Sequence, residues 1–265
     1  MSDDVYSHGH HPSVTNTHAS RTVEDSAAYL VGHLSPGMDV LDVGCGPGSI
    51  TAGFAALVAP GTVTGIDRSA DVVAKASAAH AHLQNAVFAT GNIYDLDFPD
   101  EKFDVVHAHQ VLQHLTDPVA ALREMRRVVR PGGVVAVRDA DFHAMAWFPS
   151  SPALTEWMEL YQRIARGNNA EPDGGRHLLS WVQDAGFTET EVSTSSWIYA
   201  TDEARRLHAE SWAERVLHSG FAEQTLERGH ADREDLERLA EGWRTWGTAP
   251  DGVFLIPSVE VLARA

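Results

Sequence analysis

Residues 40–48 read V-L-D-V-G-C-G-P-G, and this stretch decides how the chain folds. Val40 to Val43 is a short apolar run interrupted by one acid, Asp42. Gly44, Gly46 and Gly48 follow at alternate positions, and residues 51–58 have helical character. The pattern predicts a buried strand, a tight glycine turn and a helix. Glycine reaches positive φ without strain and lets a ligand approach the backbone with no Cβ in the way. The helix start offers N–H groups to a polar or anionic ligand group. A dinucleotide fingerprint needs G-x-G-x-x-G. Here the third glycine comes one residue early, and Asp42 stands two residues before the first. A carboxylate facing the turn repels a pyrophosphate but suits a ligand carrying an ammonium group. A glycine-rich βα turn with no ligand is the competing reading.

Outward from this stretch, apolar runs ending in polar residues recur. Residues 62–67 end at Asp67, 86–92 at Asn92, 103–109 at His109 and 134–139 at Asp139. Helical stretches at 69–83 and 118–129 separate some of them, the second opened by Asp117 as N-cap and Pro118 at the first helical position. Alternating strands and helices predict an α/β fold with a doubly wound, mostly parallel sheet. Ligands of such sheets bind at the carboxyl ends of the strands, so these polar residues converge on one site. A carboxylate at Asp67 can accept both hydroxyls of a ribose, which fits a nucleoside cofactor of either the NAD or the sulfonium kind. Capping of the following helix is its ordinary alternative.

The stretch 40–48 resembles motif I of the class I S-adenosylmethionine (SAM) methyltransferases. Gly91-Asn92-Ile93, Phe98-Pro99, Phe103-Asp104-Val105-Val106, Val111-Leu112-Gln113-His114-Leu115, Asp117-Pro118 and Arg130-Pro131-Gly132-Gly133 continue the likeness in order. It runs to Asp139 and is closest to the ubiquinone/menaquinone-biosynthesis type. The resemblance implies a seven-stranded Rossmann-like sheet with an antiparallel last strand and helical cap insertions. It implies transfer of a methyl group from SAM to a small, partly apolar acceptor, leaving S-adenosylhomocysteine. It places Asp42 and the backbone of Gly44, Cys45 and Gly46 at the methionine part and Asp67 at the ribose. Arg68 is expected against the adenine, Asn92 at its amino group, Ile93 as a backbone donor, and His109 beside the methionine part. The family more often has Asp where this chain has Asn92; an amide oxygen can still accept that hydrogen bond.

Residues 1–34 form an arm that holds His8, His10, His11 and His18. No Cys, Asp or Glu stands among them at ligand spacing, so no metal site is expected. Thr22 and Asp25 read as a capping pair, with Val23, Ala27, Leu30 and Val31 as the helix stripe. The arm is expected to cover the site, with Tyr6 and Tyr29 as candidate lining residues. The methyltransferase domain is expected over 35–265, with cap segments at about 142–170 and 202–246. Phe142, Met145, Trp147, Trp157 and Tyr161 in the first suit either a substrate-facing cap or plain packing. A further strand is expected at 188–199 and the last at 253–265.

Candidate bases are His109, His114 and His143, because imidazole titrates near neutral pH; Asp139 and Asp141 are further choices. The chain has 265 residues, a formal net charge of −17 and one cysteine, Cys45. So acidic a surface disfavours nucleic acid and anionic membranes as partners and leaves small molecules. A single cysteine, no apolar span and no signal-type N-terminus give a soluble cytoplasmic protein as the expectation. Two other hypotheses are an NAD-dependent oxidoreductase and a SAM-binding protein without transferase activity.

Overall fold

The computed structural model describes residues 4–7, 9 and 11–265. The arm forms α1 (Pro12–Ala19) and two single turns, α2 (Val23–Ser26) and α3 (Ala28–Val31). Then come β1 (Val40–Val43), α4 (Ser49–Val58), β2 (Val63–Asp67), α5 (Ala70–Ala79), β3 (Ala86–Thr90) and β4 (Phe103–His109). A 3-10 turn, Leu112–His114, leads to α6 (Pro118–Val128) and β5 (Val129–Ala140). The remainder is β6 (Ala146–Phe148), α7 (Pro152–Gly167), α8 (Gly174–Asp184), β7 (Glu189–Tyr199), α9 (Asp202–His218), α10 (Gly220–Glu227), α11 (Arg233–Gly247) and β8 (Val253–Arg264).

The strands lie in the order β3-β2-β1-β4-β5-β8, with β1 to β5 parallel. β8 is antiparallel to β5 and also pairs with β7 and β6. This is the doubly wound α/β sheet with an antiparallel last strand that the sequence predicts. Among the described residues it has eight strands instead of seven. The addition, β6, is a three-residue pairing against Val253–Leu255, too short to leave a periodic signal. Chain order reverses between β1 and β4, which opens the ligand crevice of such sheets at their carboxyl ends. All four residues of β1 are buried, because helices cover both faces. One face packs Leu122, Met125, Leu178 and Val182; the other packs Leu30, Phe54 and Val58. The caps are the expected ones: Asp117 Oδ1 accepts from Ala120 N at 2.9 Å, with Pro118 at the first helical position.

A second apolar core joins α7, α9, α10 and α11 to the start of β8. Trp157 meets Trp212 at 4.5 Å and Trp243 at 4.8 Å between ring centroids, both edge to face, and Phe142 stacks on Tyr161 at 4.2 Å. Most of the aromatic groups of 142–162 therefore pack within this core, against one another, other helices and β8, while Phe148 stays exposed. α10 is a helix that the sequence reading did not separate.

His208 is buried in this core, stacked on Tyr199 at 3.8 Å. Burial, aided by Arg215, pushes its pKa down to about 3. The sign follows. Below about pH 6.5 the unfolded chain binds a proton that the folded chain refuses, so stability falls as pH drops from about 6.5 towards 3. At pH 5 this one group costs roughly 2 kcal/mol. The expected result is acid destabilisation that begins before the carboxylates titrate. His208→Phe should flatten the fall between pH 6.5 and 5 by about one proton; urea melts at the two pH values measure it. An unchanged slope would remove His208 as a source.

Candidate functional site

A cavity of about 860 Å³ opens at the carboxyl ends of β1, β2, β3 and β4. That volume is at the upper end of small-molecule pockets. Its floor is the glycine turn. Gly44, Gly46 and Gly48 have φ of 68°, 53° and 81°, the left-handed region that favours glycine. A Cβ on Gly44 would stand 2.4 Å from a Val111 methyl, whereas one on Gly46 would meet nothing within 4 Å. Gly44 is thus fixed by packing, and Gly46 by the conformation and the open space above it.

Seven of the nine expected cofactor-binding residues can be described through their own bonds. Asp67 is half-buried in the wall; Oδ2 accepts from Gly46 N at 3.2 Å and Oδ1 from Ser69 N at 3.0 Å. Each oxygen keeps lone-pair capacity for a ligand hydroxyl. Asp42 is buried, and both its oxygens are held inside the protein: Thr51 Oγ1 donates at 2.6 Å and His107 Nδ1 lies at 2.7 Å. Cys45 N is spent on Ile66 O and Gly46 N on Asp67, so two amides of the turn serve the turn itself. Burial, then the charges of Asp42 and Asp67, push the Cys45 thiol far up, leaving a small packing residue and no nucleophile. Asn92 Oδ1 accepts from Tyr94 N at 3.1 Å, which turns its amide nitrogen to other partners. Arg68 is exposed, and its Nη1 donates to Asp4 O at 2.6 Å. Its head therefore fastens the arm, while its side chain borders the cavity. Gly44 and Ile93 also line the cavity.

The ninth, His109, ends β4 in the cavity wall, buried. Arg138 Nη1 lies 3.5 Å from His109 Nδ1. A guanidinium only donates, so Nδ1 is the acceptor and the imidazole proton sits on Nε2. Burial, then Arg21 and Arg138, hold His109 well below the ordinary imidazole range. It is a neutral donor, and its lone pair is already engaged.

Of the other two histidines expected as candidate bases, His114 lines the cavity, 4.9 Å edge-on from Tyr6. Gln113 Oε1 accepts from Ala140 N at 3.1 Å, which fixes that amide, so Gln113 Nε2 donates to His114 Nε2 at 3.1 Å. The proton of His114 is on Nδ1, and burial with Arg21 lowers its pKa to about 4. His143 is placed elsewhere. It is half exposed outside the cavity, its Nδ1 2.6 Å from Asp173 Oδ2. The chain turns away after Ala140 to enter the second core, which carries His143 with it. Asp139 is also off the cavity and buried; burial raises its carboxyl well above the usual range, against the opposing effect of the Gln113 and Val111 backbone N–H groups that face it. Asp141 is ion-paired to Arg176.

The roof is the arm. Asp4 Oδ1 accepts from Thr116 N and Thr116 Oγ1 at 2.8 Å each and from Tyr94 OH at 3.1 Å. α1 lies on α9, with Thr17 Oγ1 3.0 Å from Ser211 Oγ and Arg215 Nη2 donating to Ser13 O at 3.1 Å. Tyr6, His18 and Arg21 line the cavity; Tyr29 packs into the core face instead. His8 and His10 lie outside the described residues. The cap segments 142–170 and 202–246 contribute no side chain to the lining among the described residues. Two lining residues carried no sequence signal. Arg21 sits in the gap between α1 and α2. Gln110 has a φ of 53°, a conformation costly for a side-chain-bearing residue and common at functional sites. Arg21 Nη2 donates to Gln110 Oε1 at 2.6 Å.

Comparison with known proteins bears on this geometry. A family model described as a methyltransferase domain matches residues 34–188. An uncharacterized methyltransferase of Schizosaccharomyces pombe is 36% identical over 269 residues, covering 97% of this chain and 95% of that one. The demethylmenaquinone methyltransferase of Listeria monocytogenes is 34% identical over 192 residues, 71% of this chain and 76% of its own. The YcgJ protein of Bacillus subtilis shares the fold, with a TM-score of 0.58, 19% identity, and coverage of 89% of this chain and 96% of that one.

Proposed function

The chain belongs to the SAM-dependent methyltransferases, and from that premise we propose that it methylates a small, partly apolar acceptor inside the cavity that the arm covers. The observation that carries the proposal is the arm. It roofs a cavity whose floor is the glycine turn, so an acceptor must fit beneath it. SAM, the methyl donor of the family, supplies a methyl group already activated on a sulfonium. We assign Asp67 to the ribose hydroxyls, Asn92 and Ile93 to the adenine edge, and the backbone of Gly44 to Gly46 to the methionine part. Asp42 acts by fixing that turn through Thr51 and His107. The open face of Gly46 and the remaining lone pairs of Asp67 fit this assignment. The protein's share of the reaction is alignment, which can supply about 7–11 kcal/mol, and exclusion of water by the arm. Residues 1–34 are accordingly assigned as cover and 35–265 as the catalytic domain. Among the described residues no helix is long and apolar enough to cross a membrane.

Incubation with methyl-labelled SAM and a panel of phenols, hydroquinones, acids and amines tests the proposal. Label is expected on one acceptor class, together with calorimetric binding of S-adenosylhomocysteine. Tight binding of that product with no transfer to any class would turn the reading towards non-methylating use of SAM. Binding of NADH without any response to S-adenosylhomocysteine would sink it.

A further inference from the structure

β7 is an outer edge of the sheet. It pairs with β8 residue by residue from Glu189 to Tyr199, and among the described residues no other strand and no backbone hydrogen bond meets its outer side. None of its 11 residues is buried. An unpaired edge presents free N–H and C=O groups, and sheets ordinarily blunt it with lysine, proline, a bulge or a short strand. β7 has none of these. Its sequence, E-T-E-V-S-T-S-S-W-I-Y, holds no basic residue and no proline, and its register against β8 runs without a shift. The opposite edge, β3, has five residues. The arm meets a face of β7, through Trp197 Nε1 donating to Asp25 O at 2.9 Å, and makes no backbone bond to its edge among the described residues.

Side chains alternate between the two faces of a strand, so Val192, Thr194, Ser196 and Ile198 share one face. Val192 and Ile198 are 49% and 60% exposed there and belong to none of the apolar cores. From Val192 to Tyr199 the strand carries no charge, in a chain whose net charge is −17. Two copies that acidic repel one another, and they approach most readily where neither presents an acid.

We propose that the chain forms a homodimer by antiparallel pairing of β7 with β7 of a second copy, about a two-fold axis through Thr194. Thr194 is the middle residue of the strand, so this register uses its whole length. A ladder of 11 residue pairs supplies about ten backbone hydrogen bonds, as many as an ordinary protein interface carries. The side chains match as well. Val192 meets Ser196 of the second copy, Ile198 meets Thr190, and Thr194 meets its own counterpart, pairs that suit an antiparallel ladder. Glu191 and Glu189 meet Trp197 and Tyr199, so no acid faces an acid; parallel pairing would bring the acids together. An edge that pairs with itself about a two-fold axis is used up, which closes the assembly at two copies. The interface also adjoins the site. On the other face of β7, Ser193 holds Glu260 and Ser195 holds Arg138, whose guanidinium lies against His109 in the cavity wall.

Sedimentation velocity of the full chain over a roughly thousandfold range of concentration should show one reversible monomer–dimer equilibrium. Thr194 is exposed, so a charged side chain there disturbs the single copy little. Thr194→Lys and Thr194→Asp should each weaken the dimer tenfold or more, because the axis sets two like charges opposite one another. Mixing the two variants should restore pairing, now as a heterodimer. Val87→Lys, on β3, should leave the dimer unchanged. Circular dichroism checks that every variant is folded. A wild type that stays monomeric throughout overturns the proposal and leaves the edge to a different partner. A dimer indifferent to both Thr194 variants overturns it by placing the contact elsewhere. Failure of the mixed variants to pair overturns the axis through Thr194. None of these outcomes bears on the methyltransferase reading.

Discussion

Asp67→Ala is expected to weaken SAM and S-adenosylhomocysteine binding by about a hundredfold or more while the chain still folds. The carboxylate closes β2 at the edge of the cavity and is assigned two ribose hydroxyls. Hydrogen bonds to a charged group contribute roughly 1.5–3 kcal/mol each, so two account for at least about a hundredfold in affinity. The same substitution frees Gly46 N and Ser69 N, which Asp67 now accepts at 3.2 and 3.0 Å. Those bonds shape the turn, so part of the loss comes through a looser floor. Asp67→Asn separates the two contributions. The amide oxygen can still accept one of these backbone bonds but has no charge, and its affinity should fall between wild type and Asp67→Ala. Titration calorimetry with S-adenosylhomocysteine reads both variants. Unchanged affinity in Asp67→Ala would remove Asp67 from the site.

The α/β architecture is legible because its signals are local and repeated. Apolar runs such as Val63–Asp67 and Phe103–His109 end in polar residues, and Asp117-Pro118 marks a helix start by side-chain chemistry alone. The glycine turn is legible for the same reason, since positive φ selects glycine at Gly44, Gly46 and Gly48. What escaped the sequence depends on contacts between distant segments. α1 has a weak apolar stripe and is held instead by hydrogen bonds from Ser211 and Arg215, some 200 residues away. The large aromatic residues of 142–162 left a cap and plain packing both open, because the partners of Trp157, such as Trp212 on α9 and Phe254 on β8, come later in the chain. His109 and His114 are recognisable as histidines near the site. Their protonation state is set by Arg138 on the neighbouring strand and by the backbone of Ala140 acting through Gln113. Neither relation leaves a spacing to read. Arg21 is the clearest case, since only the fold brings this cation of the arm to Gln110 in the cavity wall.

The buried pair behind His109 should be the most sensitive point of the sheet. Arg138 is fully buried on β5, and Glu260 on β8 is its registered neighbour. Glu260 Oε1 lies 3.3 Å from Arg138 Nε, Oε2 accepts from Ser193 Oγ at 2.7 Å, and Ser195 Oγ takes both Arg138 Nε and Nη2 at 3.1 Å. β7 thus completes a network that no two strands could close. Removing one partner strands a charge where solvent cannot reach it. Glu260→Gln is expected to cost about 3–5 kcal/mol, or a fall in melting temperature of roughly 6–20 °C. The surface pair Arg238–Glu156 is half exposed, and breaking it should change little by comparison. Replacing both partners together, Arg138→Met with Glu260→Leu, should recover most of the loss, because an apolar pair carries no uncompensated charge. The double variant distinguishes structure from function. It should fold well and keep its product affinity, yet it frees Nδ1 of His109 and so restores a base to the cavity wall. If stability does not return in the double variant, the stranded charge is not the cause of the loss, and the packing of β5 against β7 and β8 must be.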